Sequence, residues 1–201
     1  MNRSELKSKA RESLKGKYGE AIALLLISFG ISCMTGAIAG FLNLNDLISY
    51  VISVVISGLL GFGTISFYLK ISRNESVTFK ELFSKINMFW PYIVISLLVG
   101  LFTILWSFLF IIPGIIASFS YSLVFYIKLD NPELSALEVI KKSKEMMKGH
   151  KWDFFILYLS FIGWSILALF TFGILCLWLV PYMNVTFANF YNSIKDEKVT
   201  L

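Results

Sequence analysis

His150 and Asp153 lie three residues apart, with Lys151 and Trp152 between them. On a helix that spacing puts both side chains on one face. A carboxylate beside an imidazole is a pairing that general acid–base chemistry uses. Such chemistry needs further titratable partners close by, and the sequence supplies none obviously. The plainer reading is a local pair near the start of a helix. His150 is the one histidine, so a multi-histidine metal site does not exist. Cys33 and Cys176 are far apart, each inside an apolar run, with neither metal-ligand spacing nor a disulfide framework. They read as small buried apolar residues. Glycine loops that cradle phosphate and metalloprotease helix motifs are absent. The expectation is a non-enzymatic chain with no catalytic residue, no metal and no cofactor.

Two other polar groups stand out. Pro181 is followed by Asn184, Thr186 and Asn189, the most polar stretch within any long apolar run. Proline inside a helix frees a carbonyl one turn earlier and bends the axis. Polar side chains there are costly to expose to lipid, so they either bond neighbouring helices or line a cleft open to lipid or solute. The second group is Lys141, Lys142, Lys144 and Lys148, which read as a contact surface for anionic headgroups, each worth roughly 1 kcal/mol near such a surface.

The elements that position these residues follow from composition. Of 201 residues, 57% are hydrophobic and only 15% charged, where soluble domains average about 25% charged. A soluble fold of this length would lack polar surface to cover itself. Disorder and ordinary soluble folds are therefore excluded, and an integral membrane protein is expected. The net charge is +5, but the position of the charges matters more than the sum, and nucleic acid is not an expected partner.

Runs of about span length are expected at 21–42, 47–69, 89–112, 113–127, 152–170 and 173–191. The fourth is short and borrows Lys128, its lysine snorkelling to the interface; a re-entrant hairpin over 89–129 is the alternative. All 18 Lys and Arg residues fall before span one, between two and three, between four and five, or after six. An even number of spans puts them on one side, and the positive-inside rule makes both termini cytoplasmic in the cell (inner) membrane. The small-residue site Ala37-Ile38-Ala39 resembles a cleavage site, but the long basic start and the later spans argue against a signal peptide.

The basic segments carry helical patterns. Leu6, Ala10 and Leu14 recur within residues 4–17. Phe79, Leu82, Phe83 and Ile86 share a face within 78–87, and Leu137, Ile140, Met146 and Met147 recur within 135–148. Thr78 with Glu81, and Ser135 with Glu138, are capping-box spacings, and Gly149 is a natural stop. Basic amphipathic helices of this kind lie in the headgroup plane.

These features recur in order. Phe67-Tyr68, Phe125-Tyr126 and Phe190-Tyr191 are each followed by an aliphatic residue three positions after the tyrosine. The expected fold is an all-α integral membrane protein, six transmembrane helices as three hairpins, each preceded by a cytoplasmic amphipathic helix. It forms one membrane domain over 1–201, with repeats at 1–72, 73–129 and 130–201 about an axis near the membrane normal. Ser28, Ser32, Gly36 and Gly40 in span one, and Ser49, Ser53, Ser57 and Gly61 in span two, recur every four residues. Small residues so spaced let helix backbones approach closely, so spans one and two pack on each other or build a homodimer.

Residues 131–138, 143–152, 178–182 and 188–191, with the opening 2–7, resemble the bacterial membrane family known as domain of unknown function 975. The most specific part is Asn131 to Trp152, and the resemblance covers nearly the whole chain. More distantly the family is similar to the membrane domain that precedes some glycerophosphodiester phosphodiesterases, whose catalytic motifs lie in a separate domain. The resemblance implies a six-span inner-membrane protein and supplies no activity or catalytic residues. The expected function is binding of anionic lipid or a membrane protein partner, in envelope maintenance or stress protection. Transport of a lipid-like or amphiphilic solute along the Asn184–Asn189 face is the alternative, and a hydrolase at His150 and Asp153 ranks below both.

Overall fold

A computed structural model describes residues 2–199, the side chains of Leu109, Lys198 and Val199 excepted. Helices α1 (Arg3–Leu14), α2 (Tyr18–Phe41) and α3 (Asp46–Ser72) come first. Two 3₁₀ turns, Phe79–Phe83 and Ile86–Met88, lead to α4 (Phe89–Leu109) and α5 (Ile111–Ser120). The chain continues through α6 (Val124–Asp130), α7 (Ala136–Met146), α8 (Lys151–Phe170) and α9 (Cys176–Val199). No strand occurs among the described residues. Five stretches are long and apolar enough to cross a membrane: Tyr18–Phe41, Asp46–Ser72, Phe79–Phe108, Ile111–Asp130 and Lys151–Phe170. The sixth expected span lies on α9, which is long enough at about 1.5 Å per residue. Its second half is polar, from Asn184 to Lys195 and Asp196, and α9 is not among the five.

The third and fourth expected spans meet differently from the sequence pattern. The chain breaks at Phe110, which is fully extended (φ −164°). Pro113 then sits in the first turn of α5, where its missing N–H has no intrahelical acceptor to lose. A second break over residues 121–123 separates α5 from α6, so the fourth run is two short helices. Lys128 does not snorkel. Its ammonium is buried and donates to the carbonyls of Pro132 (2.8 Å) and Leu134 (2.6 Å), fastening the turn that leads into α7.

The expected helix over 78–87 is also corrected. It folds as the two 3₁₀ turns, and Thr78 makes no capping bond. Glu81 accepts instead from Ser66 and Lys70 of α3, both at 2.9 Å; a charge-assisted tie outweighs a reciprocal cap. At Ser135 the capping box is complete: its N–H donates to Glu138 (2.8 Å) and Glu138 N–H donates to its Oγ (3.4 Å). Gly149 closes the segment with φ +91°, in the left-handed region that favours glycine.

Packing uses the amphipathic faces within the protein. Leu6, Ala10 and Leu14 are buried where α1 lies on α9. The ammonium of Lys7 stands 4.3 Å from the Phe161 ring centre, and Arg11 lies over Tyr182. Val139, Ile140, Met146 and Met147 are buried where α7 lies on α4 and α6, and Leu137 stays exposed. Leu82 is buried against α3, whereas Phe79, Phe83 and Ile86 face outward. Gly63 permits that contact, because a Cβ there would collide with the Leu82 carbonyl.

The buried core gathers at the end of the molecule that carries Lys70, Arg73 and Lys195. It includes Phe62, Phe67, Tyr68 and Ile71 of α3 and Val185, Phe190, Tyr191 and Ile194 of α9. At the opposite end, Phe41, Phe108 and Phe172 are 85%, 85% and 97% exposed, a pattern suited to lipid rather than water.

Candidate functional site

The tail of each repeated Phe-Tyr segment arrives at one place. Arg73 is the residue that ends α3, with Asn74 beyond it in the left-handed region. Asp130 ends α6, and Tyr191, Asn192 and Lys195 lie on consecutive turns of α9. Asp130 accepts two bonds from the Arg73 guanidinium (3.0 and 2.7 Å), one from Lys195 (2.7 Å) and one from the Tyr191 hydroxyl (2.9 Å). Asn192 accepts from Arg73 at 3.3 Å and donates to Ser72 at 2.9 Å. The Tyr126 and Tyr191 rings stack beside this cluster at 5.3 Å. Burial opposes the charge on Arg73, but the hydrogen bonds and charge of Asp130 outweigh it and hold the guanidinium pKa above its usual value.

The cluster forms one wall of a cleft of about 440 Å³ between α1, α3 and α9. Arg73, Asn192 and Lys195 reach it from that wall, Lys9 from α1 and Asn189 from α9. None of these except Asn189 was singled out by sequence pattern. A sequence signal reaches only Lys195 of these: Ser72, Asp130 and Lys195 are each the fourth residue after the tyrosine of a Phe-Tyr pair.

The residues that the sequence did single out are distributed elsewhere. Asn184 donates to the carbonyl of Val180 (2.9 Å) and Thr186 to that of Tyr182 (2.7 Å), both on their own helix. Asn189 is buried and reaches the Leu6 carbonyl of α1 at 3.5 Å. Lys141, Lys144 and Lys148 are exposed, while Lys142 donates to Asn131 at 3.1 Å.

Ser32, Gly36 and Gly40 are exposed, and a Cβ on Gly36 or Gly40 would meet nothing within 4 Å. The Ser28 hydroxyl bonds the Leu24 carbonyl of its own helix. The α2 stripe is thus not the seam with α3. On α3, Gly61 packs under the Tyr92 ring of α4, and Ser53 and Ser57 line a groove toward α4 while Ser49 lies one turn earlier. The second stripe faces α4 because Gly58 and Gly61 admit Phe89 and Tyr92 there.

His150 Nδ1 is 4.0 Å from Asp153 and Nε2 is 3.8 Å from Glu197. Both separations exceed hydrogen-bond length, so these are loose ion pairs when the imidazole is protonated. Cys33 is exposed, against the expectation of burial, on the face of α2 that also leaves Ser32 and Gly36 open; Cys176 is half-buried. Among the described residues no group of three or more His, Cys, Asp or Glu side chains is placed to hold a metal ion.

No curated protein and no solved structure matches the chain. The more distant likeness to the phosphodiesterase membrane domain is accordingly not shown. Residues 1–117 and 109–198 match the family described as protein of unknown function (DUF975), which together span nearly all of the sequence. An all-helical chain rich in membrane-length apolar helices, matched along its length, belongs to that family.

Proposed function

We propose that the protein is a non-enzymatic, six-span protein of the bacterial cell membrane, with both termini cytoplasmic. Its basic face binds anionic lipid or a membrane partner in envelope maintenance or stress protection. The observation that carries this reading is the division of labour on α7. Its apolar face is consumed by α4 and α6, which leaves Lys141 and Lys144 turned outward, with Lys148 exposed in the turn that follows. Phe79, Phe83 and Ile86 are exposed on the neighbouring basic segment and suit the acyl boundary just below the headgroups.

The contacts among the three expected units fit the six-span reading. The amphipathic segment of the second unit packs on α3 of the first, and α7 of the third packs on α6 of the second. The segment α1 of the first packs on α9 of the third, closing the ring. Transport along the Asn184 face has less support, because Asn184 and Thr186 are committed to their own backbone.

At roughly 1 kcal/mol for each lysine near an anionic surface, the three together supply up to about 3 kcal/mol. Native mass spectrometry of protein released from phosphatidylcholine vesicles containing phosphatidylglycerol tests this. The variant with Lys141→Glu, Lys144→Glu and Lys148→Glu should lose its preference for phosphatidylglycerol. Retention equal to the unchanged protein would overturn the reading.

A further inference from the structure

We propose that the cleft between α1, α3 and α9 binds a singly charged phosphodiester, of the kind carried by a glycerophospholipid headgroup. The proposal deepens the anionic-lipid reading by assigning a defined site distinct from the α7 surface. The cleft, at about 440 Å³, falls in the ~300–1,000 Å³ range of ligand sites.

Its cations come from three helices: Lys9 from α1, Arg73 from the end of α3 and Lys195 from α9. Two of them are held in place before any ligand arrives. Asp130 grips Arg73 through two bonds and Lys195 through one at 2.7 Å, and Asn192 steadies the guanidinium from the other side. Asp130 takes only one of the three donors on the Lys195 ammonium. Among the described residues Lys9 is tied to Glu5 at 2.9 Å, and both side chains are about 60% exposed. Such a pair is worth little and yields to a better anion. Asn189 adds an amide that reaches the Leu6 carbonyl at 3.5 Å, the limit of a hydrogen bond.

The charge arithmetic selects the ligand. Lys9, Arg73 and Lys195 are balanced by Glu5, Asp130 and Asp196 while Lys9 stays on Glu5, and a Lys9 that leaves Glu5 for a ligand brings the cleft to one net positive charge against Asp130 and Asp196. That balance suits a phosphodiester monoanion better than a phosphate dianion or a metal cation. The same chemistry is offered by an intact lipid and by its free headgroup ester.

The test uses the full chain in phosphatidylcholine nanodiscs. Phosphatidylglycerol is added to the disc in one arm and soluble glycerophosphoglycerol in the other, read by native mass spectrometry and calorimetry. The unchanged protein should hold one equivalent. Binding in the lipid arm alone identifies a headgroup whose tails contribute, and binding in both arms identifies the headgroup itself. Lys9→Gln should weaken binding about tenfold, the loss of one charge-assisted bond, with an unchanged unfolding midpoint. Arg73→Gln should abolish it, and if that variant is unstable Lys9→Gln still decides. Binding of neither probe, or Lys9→Gln binding like the unchanged protein, overturns the proposal. If Lys9→Gln is silent while charge reversal on α7 removes lipid preference, the cleft fails and the surface reading stands. The reverse pattern sinks the surface reading and keeps the cleft.

Discussion

Asp130→Ala tests whether the three chain segments are held together by charge. The carboxylate receives four bonds, from Arg73, Lys195 and Tyr191. Its side chain is 10% exposed, against 31% for Arg73 and 44% for Lys195. Breaking a buried ion pair costs roughly 3–5 kcal/mol, because the remaining charge loses its partner. An exposed pair costs about 0–1 kcal/mol. Arg73 is nearer the first case and Lys195 nearer the second, so the expected loss is about 2–3 kcal/mol. That is roughly a 30- to 150-fold change in the folding equilibrium. Denaturant unfolding in detergent micelles, followed by fluorescence of the five tryptophans, measures it. Lys195→Met alone should cost less than half as much. Exchanging both partners of the better-buried pair, Asp130→Leu with Arg73→Met, should recover the larger part of the loss, since the one charge then left without its Asp130 partner is the half-exposed Lys195. An Asp130→Ala protein that unfolds with the unchanged midpoint would refute the argument. So would a Lys195→Met cost equal to that of Asp130→Ala, because burial would then not set the energy.

Further outcomes follow from close contacts and caps. Gly63→Ala drives a Cβ into the Leu82 carbonyl and should destabilise by about 1–3 kcal/mol, whereas Gly36→Ala meets open space and should be neutral or slightly stabilising in the same unfolding assay. Ser135→Ala removes the cap of α7 and should speed amide exchange over its first turn, with little change in α8. The Ser135 hydroxyl and backbone N–H hold the Glu138 carboxyl below its ordinary 4.5. Its contribution is therefore complete above about that pH and disappears as pH falls through the lowered value, so protection of the first turn of α7, relative to the intrinsic exchange rate, should be flat from neutral pH down to the carboxylate range and fall only below it.

Much of the helical layout was legible because it follows from period and punctuation. Leu6, Ala10 and Leu14 at helical spacing mark α1, and the capping pair Ser135 and Glu138 marks the start of α7. The same rules failed at Thr78 and Glu81, where the local cap competes with a cation on another helix. Capping spacing reports only local partners, and Lys70 lies eleven residues away. Lys128 failed for the same reason. A lysine at the end of an apolar run looks like a snorkelling anchor, but here two loop carbonyls lie within reach of its ammonium. The α2 stripe shows the converse limit, since small residues at regular spacing permit close packing without requiring it.

The cluster around Asp130 was not legible as a site, because its members are separated by 57 residues from Arg73 and 65 from Lys195. No local motif spans such distances. What brings them together is the apolar pattern that precedes each one. Phe67, Phe125 and Phe190 open the three repeated segments, and Phe67 and Phe190 are fully buried. The residues that close each segment then emerge at the same end of the molecule. There Asp130, at the end of α6, meets Arg73, just past α3, and Lys195 of α9, so the cations at the meeting point share one carboxylate. The three Phe-Tyr pairs are alike, whereas the residue four positions after each tyrosine differs: Ser72, Asp130 and Lys195. Lysine at position 130 would remove the acceptor that Arg73 and Lys195 share, and with it the ion-paired wall that fixes those cations at the cleft.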